Sequence, residues 1–224
     1  DLHLSIRRQR QMCIRDRIRI EYFADTNAAF EAFKSGAYTM RVENSSKSWA
    51  TAYDFPALTD GHVVKKLMPD GGIANGQSFV MNLRRDKFSD IRVRQALSYL
   101  FNFEWSRESL FYGQYARINS FWENSDLAAT GMPSAEELVL LSPLEGDLPA
   151  GVLTNVAVMA PVSGTKPLDR SNLRKANALL DEAGWPVGND GLRRNANGNT
   201  LKIEIIEDSA AFDRIVLPFV ENMK

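Results

Sequence analysis

Residues able to do covalent or metal chemistry are scarce in this sequence. It has two histidines, His3 and His62, and one cysteine, Cys13. His62 stands alone at the start of an apolar run, so no His/Cys set reaches the three or four ligands of a zinc site. Ser45, Ser46, Ser120 and Ser125 lie outside any Gly-x-Ser-x-Gly elbow, and a triad would lack its histidine. Asp86, Asp90, Glu104 and Glu108 could supply acid and base, but helix caps and surface charge account for them. The glycines of Asp190-Gly191 and Asn197-Gly198 read as β-turns, without phosphate-loop spacing. We therefore expect no catalytic residue, no metal and no cofactor.

The chemistry that these residue types do support is recognition. Residues 43–55, ENSSKSWATAYDF, and 113–124, GQYARINSFWEN, concentrate aromatic and amide side chains. Trp and Tyr offer flat apolar contact with a polar tip, while Asn, Gln and Ser both donate to and accept from a peptide backbone. That mix suits a cleft enclosing a polar ligand of variable sequence. The candidate contacts are Asn44, Ser45, Ser46, Trp49, Asn82, Tyr115, Asn119, Phe121, Trp122 and Asn124. The competing reading makes Trp49, Tyr53 and Phe55 core residues at helical spacing, and Tyr115, Phe121 and Trp122 a packed loop cover. Arg84, Arg85 and Lys87 form either a solvated turn or a charge set facing an anionic ligand.

Short elements must hold these stretches. The chain centres on residues 77–105: a β-rich run over 77–83 with Phe79 and Met81 on one face, a charged turn, then an amphipathic helix. Asp90 can cap that helix, and Val93, Ala96, Leu97, Leu100 and Phe101 recur at helical spacing. Strands are expected over 18–23, 38–42, 62–68 and 201–207. Helices are expected from Asp25 or Thr26 to Lys34 and from about Ser45. Others should run from Asn102 to Tyr112, from Ser134 to Leu141 after a capping box, and along Leu173, Ala176, Leu179, Leu180 and Ala183. Residues 115–127 read as irregular and 143–167 as an extended connector. Asp208 or Ser209 caps a last helix that Pro218 should kink or break. Alternating strands and helices argue a mixed α/β fold.

The 224 residues are enough for one large domain or two lobes, and no apolar run is long enough to span a bilayer. Net charge is −1, which gives no argument for nucleic acid. Residues 1–17 carry five Arg and two Asp, leaving 22 basic against 26 acidic residues in a mildly acidic remainder. That arm, DLHLSIRRQRQMCIRDR, fits neither a secretory signal nor the patterns downstream, and its wording resembles translated sequencing-adapter read-through. It is read as non-native. The helical stripe still running at Lys224 reads as an internal fragment of a longer protein.

Phe88, Asp90, Arg92, Val93, Arg94, Gln95, Ala96 and Leu97 form a run similar to one in the extracellular solute-binding proteins of the oligopeptide-binding type, family 5. Glu43-Asn44-Ser45-Ser46-Lys47, Trp49-Ala50, Tyr53-Asp54-Phe55-Pro56, Phe103-Glu104-Trp105 and Glu123-Asn124-Ser125 resemble the branch associated with microcin C and murein-type peptide uptake. The resemblance covers roughly residues 18–224. It implies a two-lobed, periplasmic-binding-protein-like (type II) fold, present only in part. Residues 18–76 would then belong to lobe one, 77–85 to an interlobe crossing strand and 86–224 to lobe two. The implied partners are an oligopeptide or peptide conjugate and an inner-membrane ABC permease, for a periplasmic monomer whose signal peptide lies upstream. The acidic residue that pairs with the peptide amino terminus in that family maps onto no residue here. Two other classes stay open: a carboxylate-based hydrolase using the same cleft, and a ligand-sensing module.

Overall fold

Among the described residues most helices start at a side chain that accepts from first-turn N–H groups, while those beginning at Pro56, Asp86 and Asp213 start without one. The computed structural model describes residues 17–224, so the arm lies almost entirely outside the described residues. Packing divides the chain into two units, one ending at Lys66 and the other Leu67–Lys224.

In the first unit, α1 (Thr26–Lys34) begins at extended Asp25, whose carboxylate accepts from the N–H groups of Asn27 and Ala28 at 2.9 Å. It ends in a Schellman turn. Gly36, at φ +78°, donates to the Phe33 carbonyl, and Ala37 donates to Ala32. A side chain at Gly36 would meet the left-handed penalty, so glycine is required there. Ser45 caps α2 (Ser46–Thr51), and Pro56 opens α3 (Pro56–Thr59). The aromatic residues form the core. Phe30 and Phe55 are buried, and their rings meet edge-on at 6.2 Å, with Phe33, Tyr38 and Tyr53 around them.

In the second unit, α4 (Asp86–Ser89) leads into α5 (Ile91–Leu100), and α6 (Phe103–Ser109) follows at once. Then come α7 (Ala135–Leu141), a 3-10 turn (Ser142–Asp147), α8 (Arg170–Glu182), a second 3-10 turn (Ala210–Phe212) and α9 (Asp213–Asn222). The main packing is α5 against α8. Val93, Ala96, Leu97 and Leu100 meet Ala176 and Leu180, and Phe88 and Phe219 close the cluster. Ala176 and Ala96 are fully buried, and small residues at such positions let two helix backbones approach closely. Arg92 ties the pair: its guanidinium grips the Asp90 cap and donates to the Glu182 carbonyl at 2.7 Å, an end group α8 cannot satisfy itself. α8 also ends in a Schellman turn, Trp185 donating to Leu180 and Gly184 to Asp181. The Ser134 capping box on α7 is complete. Of the kink or break expected at Pro218, the break is corrected: α9 runs through it to Asn222.

The strands are a second correction. Among the described residues the only β pairings are isolated bridges, Val187 with Arg193 and Arg194 with Thr200. Residues 18–23, 38–42, 62–68, 77–83 and 201–207 form no ladder. The period-2 pattern over 201–207 is real, because Leu201, Ile203 and Ile205 turn to the α5–α8 core while Ile206 is 96% exposed. Likewise Phe79 packs on Phe101 and Phe219 while Val80 faces solvent. Alternation therefore reports which face is covered. A strand also needs a neighbouring backbone along its length; among the described residues Leu201 donates to the Arg193 carbonyl and Val63 to that of Ala57, single bonds that build no ladder.

Candidate functional site

The first aromatic and amide stretch is organised by an ion pair. The Glu43 carboxylate accepts from Arg41 Nε at 3.2 Å, from Tyr53 OH at 3.1 Å and from the Ser45 N–H at 2.9 Å. Arg41 in turn donates to Tyr38 OH and stacks over the Phe30 ring. Burial opposes the Arg41 charge most, but its hydrogen bonds to Tyr38 and Glu43 and the Glu43 charge outweigh it and hold its pKa above the ordinary value. Burial, then the Glu43 charge, pushes the Tyr53 phenol up. This network fixes the direction in which the chain enters α2. Ser45 is used as its cap, and Ser46 is buried with a hydroxyl that has no hydrogen-bond partner among the described residues. Asn44 is exposed. Trp49 is half-buried against Tyr53, and the Lys65 ammonium lies 4.3 Å from its ring centre while donating to its carbonyl. Phe55 is core, as the competing reading had it.

The second stretch is a loop pinned by its amides. Asn119 accepts from the Ala160 N–H at 2.9 Å, and Asn124, at φ +65°, donates to the carbonyls of Asp70 and Gly72. Glu123 accepts from the N–H groups of Asn119 and Ser120, and Ala74 donates to its carbonyl. With the amides so occupied, what the loop offers outward is aromatic. Phe121 is 97% exposed and Trp122 50% exposed. A packed cover does not describe either. Tyr115 folds back on Phe111, rings 4.9 Å apart. Asn82 ends the extended run, its Oδ1 accepting from the Arg84 N–H.

The charged turn is more ordinary. Arg85 and Lys87 rim an open cleft of about 630 Å3 with Trp185, Asn195 and Asn199. Lys87 donates to the Lys202 carbonyl, and Glu204, held below its ordinary pKa chiefly by its Lys202 hydrogen bond, adds negative charge nearby. A smaller recess of about 350 Å3 lies between Phe79, Met81 and Leu83 and the polar side of α5. Among the described residues the Glu207 carboxyl, in neither aromatic stretch, is pushed up in pKa, chiefly through its hydrogen bond to Asp213. Among the described residues no group of three His, Cys, Asp or Glu side chains is placed to hold a metal, and no helix is long and apolar enough to cross a membrane.

Two buried amides escaped the sequence reading. Asn102 caps α6 through its Oδ1 and donates from Nδ2 to the carbonyls of Gly164 and Lys166. Asn172 donates to the Val162 carbonyl and to Ser163 Oγ. Together with Glu104, which accepts from the Ser163 N–H, they strap residues 162–167 to α6 and α8. The cap position before α6 was a visible signal for Asn102; the long-range partners were not.

The described residues thus form a helical core that carries an outward aromatic loop. Residues 14–224 match the bacterial extracellular solute-binding proteins, family 5 Middle, and the chain belongs to that family. It is 40% identical over 205 residues to the probable peptide-binding protein YejA of Agrobacterium fabrum, covering 91% of this chain and 33% of that protein. It is 38% identical over 209 residues to the uncharacterized protein YejA of Escherichia coli, covering 93% and 34%. Similarity to the peptidoglycan-binding protein YepA of Agrobacterium fabrum is 34% over 216 residues, covering 93% and 35%. The chain thus spans about a third of the length of the curated relatives it matches.

Proposed function

We propose that this chain is part of the substrate-binding subunit of an ABC importer, which captures oligopeptides or peptide conjugates in the periplasm and delivers them to an inner-membrane permease. The observation that carries this reading is the family match over residues 14–224, with a relative named as a probable peptide-binding protein. The complete protein would have a two-lobed α/β fold, in which residues 77–83 and 201–207 find strand partners. Within the second unit, Phe121 and Trp122 supply apolar faces for peptide side chains with Tyr115 beside them; within the first, Trp49 offers a further ring. Asn44 and Asn82 serve the peptide main chain, while Ser45, Asn119 and Asn124 hold the contact stretches in shape. Aromatic platforms tolerate many side chains, so main-chain groups set the orientation and sequence is read loosely. A ligand favours one conformation only through contacts made in that conformation.

The test is intrinsic tryptophan fluorescence of the full-length protein titrated with a mixed library of short peptides, followed by mass spectrometry of the peptides. A saturable change with peptides recovered intact is the expected result. Cleaved peptides point to a hydrolase instead. No response to any peptide ends the reading.

A further inference from the structure

Arg117 lies in the same loop as Phe121 and Trp122, and its surroundings do not account for its charge. Its guanidinium carbon sits 5.5 Å from the Phe101 ring centre and 5.4 Å from that of Phe103. The side chain is half-buried, and burial is the main influence on it, drawing its pKa below the ordinary arginine value against the pull of the Glu104 charge. Among the described residues the guanidinium makes no hydrogen bond and no ion pair. Other arginines of this unit do find acceptors. Arg92 reaches Asp90 and Glu182, Arg94 the carbonyls of Phe88 and Ser89, Arg193 Asp181 and Trp185, and Arg214 the Leu110 carbonyl. Glu104, the acid whose charge Arg117 feels, is already engaged by the Ser163 N–H at 2.8 Å.

Two aromatic rings offset part of the cost of holding a cation out of water. They cannot satisfy five N–H donors arranged in a planar fork. A donor left unmade in a half-dry place costs free energy, and a carboxylate is the group whose two oxygens match that fork. We infer that Arg117 is the anchor for a carboxylate of the bound peptide, held bidentately between the Phe101 and Phe103 rings and the aromatic loop. The inference rests on the peptide-binding reading above. Such a carboxylate comes either from the peptide C-terminus or from an Asp or Glu side chain.

The test uses the full-length protein and a tripeptide library prepared as free acids and as C-terminal amides, with matched Glu and Gln members. The wild type is expected to lose roughly ten- to a hundredfold in affinity when the relevant carboxylate is neutralised, the range for a charged bidentate pair. Loss on amidation identifies the C-terminus; loss on exchanging Glu for Gln identifies a side chain. In Arg117→Gln the preference for the acid form disappears, while affinity for the neutral form stays near wild type. Thermal unfolding checks that this variant folds. Arg117→Lys keeps the charge without the fork and should retain a reduced preference, so it carries the test if the glutamine variant does not fold. Equal wild-type affinity for acid and neutral forms overturns the inference, as does undiminished discrimination in both variants. If the wild type binds no tripeptide at all, the peptide-binding reading itself has failed, and the anchor with it.

Discussion

At the residue scale, the same side-chain types do two different jobs. The amides that looked like ligand groups, Asn119 and Asn124, spend their hydrogen bonds on the loop, whereas Phe121 and Trp122 beside them are left in solvent. Removing an exposed ring leaves the fold nearly untouched, so Phe121→Ala and Trp122→Ala should each change stability by no more than about 0.5 kcal/mol. If the loop contacts peptide, each should weaken binding several-fold in the fluorescence titration; wild-type affinity in both removes the loop from the site. Asn102 is the opposite case. It is buried and holds one N–H and two carbonyls, so Asn102→Ala loses a cap and strands two acceptors. A destabilisation of about 2–4 kcal/mol in urea unfolding of the full-length protein follows, and a change below about 0.5 kcal/mol would contradict the strap it is said to hold.

At the element scale, local rules were the most legible. Asp25, Ser45, Asp90 and Ser134 each cap the element expected after them, whereas Ser209 caps only the short 3-10 turn before α9, which itself starts without a side-chain cap; Gly36 and Gly184 stop their helices by the expected turn. These signals act over three or four residues, so the sequence contains both partners. The buried stripe of α8 is equally local, and its cost can be measured. Leu180 sits between α5 and the Trp185 turn, and Leu180→Ala should cost about 2–4 kcal/mol by unfolding midpoint, because the close-packed pair leaves the cavity unfilled. Asp169 is held below its ordinary carboxylate pKa by the N–H groups of Asn172, then Gly164, with Ser171 adding to them. Its folded pKa is thus depressed relative to the unfolded chain. The stability it contributes is present above the ordinary value of 3.8 and is lost as pH falls through the lower folded value. Asp169→Asn should flatten the acid limb of a stability-against-pH curve. An unchanged limb would show that the carboxylate charge contributes nothing there.

At the scale of the whole molecule, extended segments without neighbours are what the chain exposes most. Val80 and Ile206 are 90% and 96% exposed, while their alternate neighbours pack on the core. If residues 77–83 and 201–207 pair in the complete protein, their amides should exchange with deuterium far more slowly there than in this chain alone. Equal exchange in both rejects the pairing. The sequence by itself determined the caps, the Schellman turns, the apolar stripes of α5 and α8, and the family, because each is written within a few residues or in short peptide words. It could not decide between strand and unpaired extended segment, since period-2 alternation follows from one covered face whether or not a backbone lies alongside. Nor could it separate a scaffolding asparagine from a ligand-contacting one, or find Arg117 beside two rings without an acceptor among the described residues. Those distinctions depend on partners well beyond one helical turn, from Phe103 for Arg117 to Ala160 for Asn119 and Lys166 for Asn102. Only the packed chain brings such residues within hydrogen-bonding distance.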